Sequence, residues 1–164
     1  RTWMKKKVKK EDAPDLFYDE GLTAVEFYTK YPDPKDVLKG ELLQSIEVQK
    51  GILDYLKLNP TTDICIIEGI AITPEYIEDR KKNVDLNIEI IPIFIYESNR
   101  TRIMERIYKR GLWDDAEKYD DKYKELEIEW VMLYNEYFKK EAEKYGYNII
   151  HVDEIPGMIE KLKL

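Results

Sequence analysis

Short runs of β-branched, apolar residues alternate along this chain with long segments of helical periodicity. The runs span 63–68 (DICIIE), 88–96 (IEIIPIFIY) and 147–152 (YNIIHV). Because the connections between them are helical rather than tight turns, the pattern predicts parallel strands with helices on both faces of the sheet. The expected fold is therefore a three-layer α/β/α domain with a mainly parallel sheet.

Helical spacing of apolar residues predicts the segments between these strands. The longest predicted helix covers about 35–58, where Asp33 or Asp36 provides a cap and a stripe that includes Leu38, Leu42 and Ile46 is expected to be buried. The other predicted helices span 73–83, 99–110, 118–145 and 156–163. Three strands make a thin sheet for this number of helices, so a further strand is expected to complete the layer.

Length and charge exclude several classes of protein. The chain has 164 residues, which suits a single domain (1–164), and a net charge of -7. That charge argues against non-specific binding to nucleic acid or to anionic membranes. The single cysteine excludes an internal disulfide and agrees with a reducing compartment. Since the apolar runs are also too short to cross a bilayer, we expect a cytoplasmic location.

The pair Glu68-Gly69 follows the first predicted strand. Ligands of open α/β sheets gather at the carboxyl ends of the strands, where a carboxylate can orient a metal ion or accept a proton. Glycine at the next position lets the backbone turn and approach a ligand closely. Glu68 is therefore a candidate catalytic residue, and the alternative is an acid that only caps the loop.

Three arginines recur at four-residue spacing on the helix predicted over 99–110. Arg102, Arg106 and Arg110 lie on one face, and like charges at this spacing repel one another. Guanidinium groups match the geometry of phosphate oxygens, so the stripe is a candidate phosphate-binding surface. An ordinary solvated face paired with acids such as Glu105 and Glu97 is the alternative.

The remaining candidates are a polar loop and two weaker single residues. Residues 111–118 (GLWDDAEK) connect two predicted helices and are either a mobile lid or a plain connection. His151 is the only histidine and lies in a predicted strand, where a structural role is favoured. Cys65 lies between apolar neighbours and is expected to be inert core.

Taken in order, three of these features resemble a known family. The run DICIIEGIAITP, the strand and helix FIYESNRTRIMERIYKRG with the loop after it, and the closing NIIHVDE are similar to the P-loop kinases of the nucleoside, nucleotide and shikimate type. The similarity covers about residues 35–160. It implies a P-loop NTPase-like fold and ATP-dependent transfer of a phosphoryl group to a small metabolite or nucleotide, with ATP and Mg²⁺ as cofactors.

The resemblance also implies roles for particular residues. Glu68 would be the catalytic or metal-orienting acid, with Gly69 beside the substrate. The stripe of Arg102, Arg106 and Arg110 would belong to a lid-like segment over about 106–120. The loop from Asp153 to Pro156 would lie near the nucleotide base, and residues 1–58 would form the acceptor-substrate region.

The chain departs from this family at its most specific motif. No GxxxxGK[ST] sequence occurs, and the first strand, the phosphate-binding loop and the helix behind it have no counterpart. Kinase activity is therefore expected to need an upstream P-loop in a longer chain. The alternatives are a non-catalytic kinase-like module that binds a nucleotide or a protein, and a helical scaffold that binds neither.

Overall fold

The computed structural model describes residues 1–59, 64–82, 89–110 and 119–157, with the side chain of Arg110 excepted. Its α-helices are α1 (Thr2–Lys5), α2 (Ala24–Lys30), α3 (Pro34–Leu58), α4 (Pro74–Lys82), α5 (Arg100–Arg110) and α6 (Asp121–Lys144). Within the described residues, short 3₁₀ helices span Pro14–Phe17 and Val152–Glu154. The strands are β1 (Phe94–Tyr96) and β2 (Ile149–His151).

The predicted three-layer α/β/α fold with a P-loop NTPase-like sheet is wrong. In the described part of the chain the sheet has two strands of three residues each, and helices dominate. β1 and β2 pair in parallel, with Tyr96 opposite His151, so the predicted direction of this pair is confirmed. The run at 64–68 is exposed and pairs with no strand among the described residues. A strand needs a neighbour to satisfy its backbone N–H and C=O groups, and apolar composition does not supply one.

Capping and periodicity account for the helices. The Asp33 side chain accepts from the Lys35 N–H at 2.9 Å, and Thr73 Oγ1 accepts from the Tyr76 N–H at 3.3 Å, as a cap does before α4. Before α5 the cap is Asn99, whose Oδ1 accepts from the Arg102 N–H. The structure thus confirms, to within a few residues, the helices predicted over 35–58, 73–83, 99–110 and 118–145. Most of the closing helix predicted over 156–163 lies outside the described residues.

The face of α3 that packs inward differs from the predicted stripe. Val37, Gln44 and Ser45 are buried, whereas Ile46 is 50% exposed and Leu42 is half-buried. The buried Gln44 amide donates to the Leu16 carbonyl, so this helix turns a polar residue toward its neighbours. Helical spacing identified the helix but not its inner face.

Helix α6 is the element around which the described residues pack. Phe138 and Ala142 pack with Phe94 of β1, and Ile128 packs with α5 residues. In the N-terminal half of α6, Trp130 donates Nε1–H to the hydroxyl of Tyr28 at 2.8 Å. Among the helices that the structure describes, not one combines the length and apolar character needed to span a bilayer.

Candidate functional site

The carboxyl ends of β1 and β2 bring charged side chains together. Glu97 follows β1 directly, and His151 is the last residue of β2. Because the strands are parallel, both residues leave the sheet at the same edge, where α/β proteins place ligands. Helix α5 begins three residues after Glu97 and carries Arg102 and Arg106 over this edge. We call Glu97, Arg102, Arg106, His151 and Asp153 the arginine cluster.

Glu97 is the fixed centre of the arginine cluster. Its side chain is only 6% exposed, and its Oε1 accepts from the Asn99 N–H at 2.9 Å. Its own N–H donates to Asn135 Oδ1 on α6 at 3.1 Å. Glu97 Oε2 makes no hydrogen bond with a described residue but lies 3.6 Å from Arg102 Nη1 and 3.8 Å from Arg106 Nη2. Two guanidinium groups therefore converge on one buried carboxylate oxygen.

Arg102 also contacts Asp153 at the surface. Its Nη1 donates to Asp153 Oδ1 at 2.6 Å. This hydrogen bond holds the pKa of Asp153 below its ordinary value and raises the pKa of Arg102. The Arg102 side chain is 41% exposed and that of Asp153 58% exposed, so the pair is solvated and contributes little to stability.

His151 lies between the two acids of the cluster. Its Nδ1 accepts from the Asp153 N–H at 3.3 Å, so a neutral ring carries its proton on Nε2, which lies 3.3 Å from Glu97 Oε1. Nδ1 also lies 3.3 Å from Asp153 Oδ2. A doubly protonated ring would therefore have a carboxylate beside each nitrogen. The His151 N–H donates to Glu154 Oε2 at 3.0 Å and fixes the turn after β2.

The structure unites some of the predicted site residues and separates others. Arg102, Arg106 and Asp153 belong to the arginine cluster. Glu68 is exposed and makes no hydrogen bond or ion pair with a described residue, and its expected place at the end of a buried strand is wrong. Gly69 has φ +148°, a conformation that glycine adopts readily. Pro156 is exposed.

Parts of the predicted lid-like segment and of the first predicted strand lie outside the described residues. The Arg110 side chain and residues 111–118 of the lid-like segment lie outside the described residues, as do residues 60–63 before the first predicted strand. Cys65 is exposed, so the expectation of an inert core position is wrong. Residues 64–70 around it are all exposed, and no strand in the described part of the chain pairs with them.

Sequence reasoning missed Glu97 and His151 as site residues. The rule that selected Glu68, a position at the carboxyl end of a predicted strand, applies equally to both. Glu97 follows 88–96, and His151 lies near the end of 147–152. The two side chains lie close together because these two strands pair in parallel. The sequence pattern predicts the direction of that pairing but not which residues stand opposite each other.

Magnesium does not fit the arginine cluster. The carboxylates of Glu97 and Asp153 both lie beside Arg102, and a second cation there would be repelled. Across the described ranges there is also no group of three metal-ligating side chains. No chemical step through a metal is assigned to these residues.

Comparison with known proteins adds no further identification. The chain matches no protein-family model, no curated protein and no solved structure. The assignment of a function therefore rests on the side chains of the arginine cluster and their surroundings.

Proposed function

We propose that the chain binds the phosphate groups of ATP, or of a phosphorylated small metabolite or nucleotide, at the arginine cluster. The wider activity would be ATP-dependent phosphotransfer to such a metabolite or nucleotide. The observation that carries the proposal is the convergence of Arg102 and Arg106 on one oxygen of Glu97. A phosphate oxygen in an arginine site likewise lies between two guanidinium groups.

The outer contacts of the cluster can exchange with a ligand. Arg102 pairs with Asp153 in water, where such a pair is worth about 0–1 kcal/mol. A phosphate group carries more negative charge than a carboxylate and offers more oxygens, so it competes well for the same guanidinium. Arg106 is 60% exposed, and Glu97 is its acidic neighbour within ion-pair distance among the described residues.

The buried Glu97 would remain in place when a phosphate binds. Its hydrogen bond from the Asn99 N–H and its low exposure hold it at the start of α5. It keeps both guanidinium groups near the edge of the sheet and reduces their mutual repulsion. The cluster is then organised before the ligand arrives, which lowers the entropic cost of binding.

Phosphotransfer would use this arrangement for charge stabilisation. Fixed arginines stabilise the negative charge that develops on a transferred phosphoryl group. Glu68 remains the predicted catalytic acid, although the structure gives it no contact with the cluster. Turnover would show itself as ATP-dependent labelling of an acceptor in a panel of small metabolites and nucleotides.

Calorimetric titration of the 164-residue chain with ATP and with tripolyphosphate tests the phosphate site. Arg102→Ala and Arg106→Ala should each weaken binding about tenfold or more, because a charged hydrogen bond contributes roughly 1.5–3 kcal/mol. Arg100→Ala is the matched control, since Arg100 lies on the same helix but pairs with Glu125 and Glu129. Equal dissociation constants for wild type and both cluster variants would reject the proposal.

A protein-binding module is the second candidate, and a specific observation favours it. Along 91–95 alternate isoleucines point outward, with Ile91 at 64% and Ile95 at 50% exposure, and Ile66 is 81% exposed. Exposed apolar patches often mark surfaces that another polypeptide covers. Ile66→Lys with Ile91→Lys should then reduce self-association in sedimentation velocity and leave ATP binding unchanged. Unaltered sedimentation would remove this support.

A further inference from the structure

A groove lies on the far side of α6 from the arginine cluster. Asn135 of α6 contacts Glu97, whereas Tyr137, two residues later and therefore about 200° around the helix, lines the groove. The groove encloses about 370 Å³, a volume within the usual range of small-ligand sites. Its other walls are one face of α3, with Leu42, Ile46 and Gln49, and the first two turns of α4.

The amide and phenol donors in the groove are already used within the protein. Gln49 Nε2 donates to the Ala71 carbonyl at 2.7 Å and to Thr73 Oγ1 at 3.2 Å. The Tyr76 hydroxyl donates to the Gln49 carbonyl at 3.4 Å, and the Tyr137 hydroxyl donates to Glu75 Oε1 at 2.5 Å. A ligand therefore meets few donors here.

Acceptors are in surplus. Glu75 Oε2 is buried and has no hydrogen-bond partner among the described residues. The side-chain oxygen of Gln49 receives no hydrogen bond from a described residue, because both bonds of this amide use its nitrogen. A buried carboxylate oxygen without a donor costs free energy, which a bound donor would recover.

Charge in the groove also favours a cation. Its two ionisable acids are Glu75 and Asp79, and no lysine or arginine is among its lining residues. Arg80 forms an ion pair with Asp79 and lies over the ring of Tyr76, so it offsets Asp79. The charge of Glu75 has no such cation beside it among the described residues. Leu42 and Ile46 supply an apolar wall opposite these acids.

We propose that this groove binds an alkyl cation, with an ammonium or guanidinium head on Glu75 and an aliphatic stem on Leu42 and Ile46. A modest rotation of the Glu75 side chain brings Oε2 to the ligand while Oε1 keeps its bond from Tyr137. The head donates to Glu75 and Gln49, and the stem excludes water from the apolar wall. The site is independent of phosphate binding, since the two lie on opposite faces of α6.

Three probes of equal chain length test the chemistry of the head group. Hexylammonium should shift the side-chain NMR signals of Gln49 and Tyr137 in a saturable way, while hexanol should bind at least tenfold more weakly and hexanoate should not bind. A short peptide with one central lysine forms a separate arm. If the peptide binds and hexylammonium does not, the cation comes from a polypeptide; if only hexylammonium binds, it comes from a free amine. Equal binding of hexanol and hexylammonium, or no shift with either cation, would overturn the proposal.

Variants locate the site. Glu75→Gln keeps an acceptor for Tyr137 but removes the charge, and should weaken hexylammonium binding at least tenfold. Glu78→Gln is the control, because Glu78 lies on the same helix and also accepts from a tyrosine, Tyr147, but outside the groove. Ile46→Lys places a cation in the groove from a largely exposed position and should abolish binding without unfolding the chain. Binding that survives both groove variants would overturn the proposal.

Discussion

His151 Nε2 lies 3.3 Å from Glu97 Oε1, and this contact joins the ends of the two parallel strands. Both residues leave the sheet at the same edge. The sequence around each of them did not identify it as a site residue. Asp153 and Arg102 surround the same pair. Arg102 thus lies beside two carboxylates, those of Glu97 and Asp153, and the first prediction concerns the effect of removing one of them.

Asp153→Asn should strengthen the binding of tripolyphosphate. The substitution removes the carboxylate that competes with the ligand for Arg102, and an exposed pair of this kind is worth about 0–1 kcal/mol, so the gain should be up to about fivefold. Calorimetry measures it. Glu129→Gln is the control and should change nothing, because it removes one of the two carboxylates that pair with Arg100, outside the arginine cluster. Weaker binding in Asp153→Asn would show that Asp153 orients Arg102 for the ligand.

Tyr28→Phe should destabilise the chain by about 1–2 kcal/mol, because the Trp130 N–H would lose its acceptor in a largely buried setting. Urea unfolding followed by tryptophan fluorescence measures the loss. Tyr31→Phe is the control: Tyr31 packs against the same cluster of side chains, and its hydroxyl bonds to no described residue. Similar losses in the two variants would mean that ring packing, rather than this hydrogen bond, determines the effect.

Gly40→Ala should destabilise the chain by roughly 1–3 kcal/mol through overpacking. A Cβ at this position would lie 2.6 Å from Cε2 of Tyr18, whose hydroxyl is held by Glu41. In a Tyr18→Ala background the same change should instead stabilise α3 by up to about 1 kcal/mol, since alanine is the better helix former. A double-mutant cycle by urea unfolding gives the coupling. Its absence would show that the ring moves away freely.

Glu41→Gln should stabilise the chain at neutral pH. Burial raises the pKa of Glu41 above its ordinary value, and the nearby Tyr18 hydroxyl donates to its carboxylate at 2.5 Å. When the folded pKa of an acid is raised, the folded state binds the proton more tightly. Stability from this group is therefore fully present below the unfolded pKa of about 4.3 and is lost as pH rises through the folded pKa.

The difference in free energy of unfolding between wild type and Glu41→Gln should therefore depend on pH. At pH 7 the wild type bears the cost of a desolvated charge and the variant does not. As pH falls toward about 4 the wild-type carboxyl becomes protonated and the difference should shrink. Urea unfolding at both pH values measures it, with Glu47→Gln on the same helix as control. A difference that is independent of pH would exclude desolvation as the cause.

The helices were predictable because each carries its own signal. A cap such as Asp33 or Thr73 and the spacing of apolar residues are local, and they fix where α3 and α4 begin. The inner face of α3 was not predictable, because Ile46 faces a groove and Gln44 faces the 3₁₀ helix at Pro14–Phe17. Orientation depends on the neighbours, which no local pattern specifies.

Which segments form strands, and which side chains meet in the arginine cluster, depends on pairing between segments that are far apart in the sequence. The run at 64–68 has the composition of a strand but pairs with no described segment, whereas Phe94–Tyr96 pairs with Ile149–His151. Arg102 and Arg106 were predictable from their spacing on one helix. Glu97 belongs to no motif in the sequence. It lies at the centre of the arginine cluster because β2 places His151 and the turn at Asp153 beside it.

The bond between Trp130 and Tyr28 joins residues 102 positions apart, and it has a consequence for synthesis on the ribosome. When α2 and α3 emerge, the helix that covers Phe27 and Tyr28 has not yet been translated. Their packing stays incomplete until about 100 more residues have been added, at about 5–20 residues per second. We therefore expect the nascent N-terminal half to be the stage of synthesis that is most prone to aggregation, because α6 completes the packing around these rings.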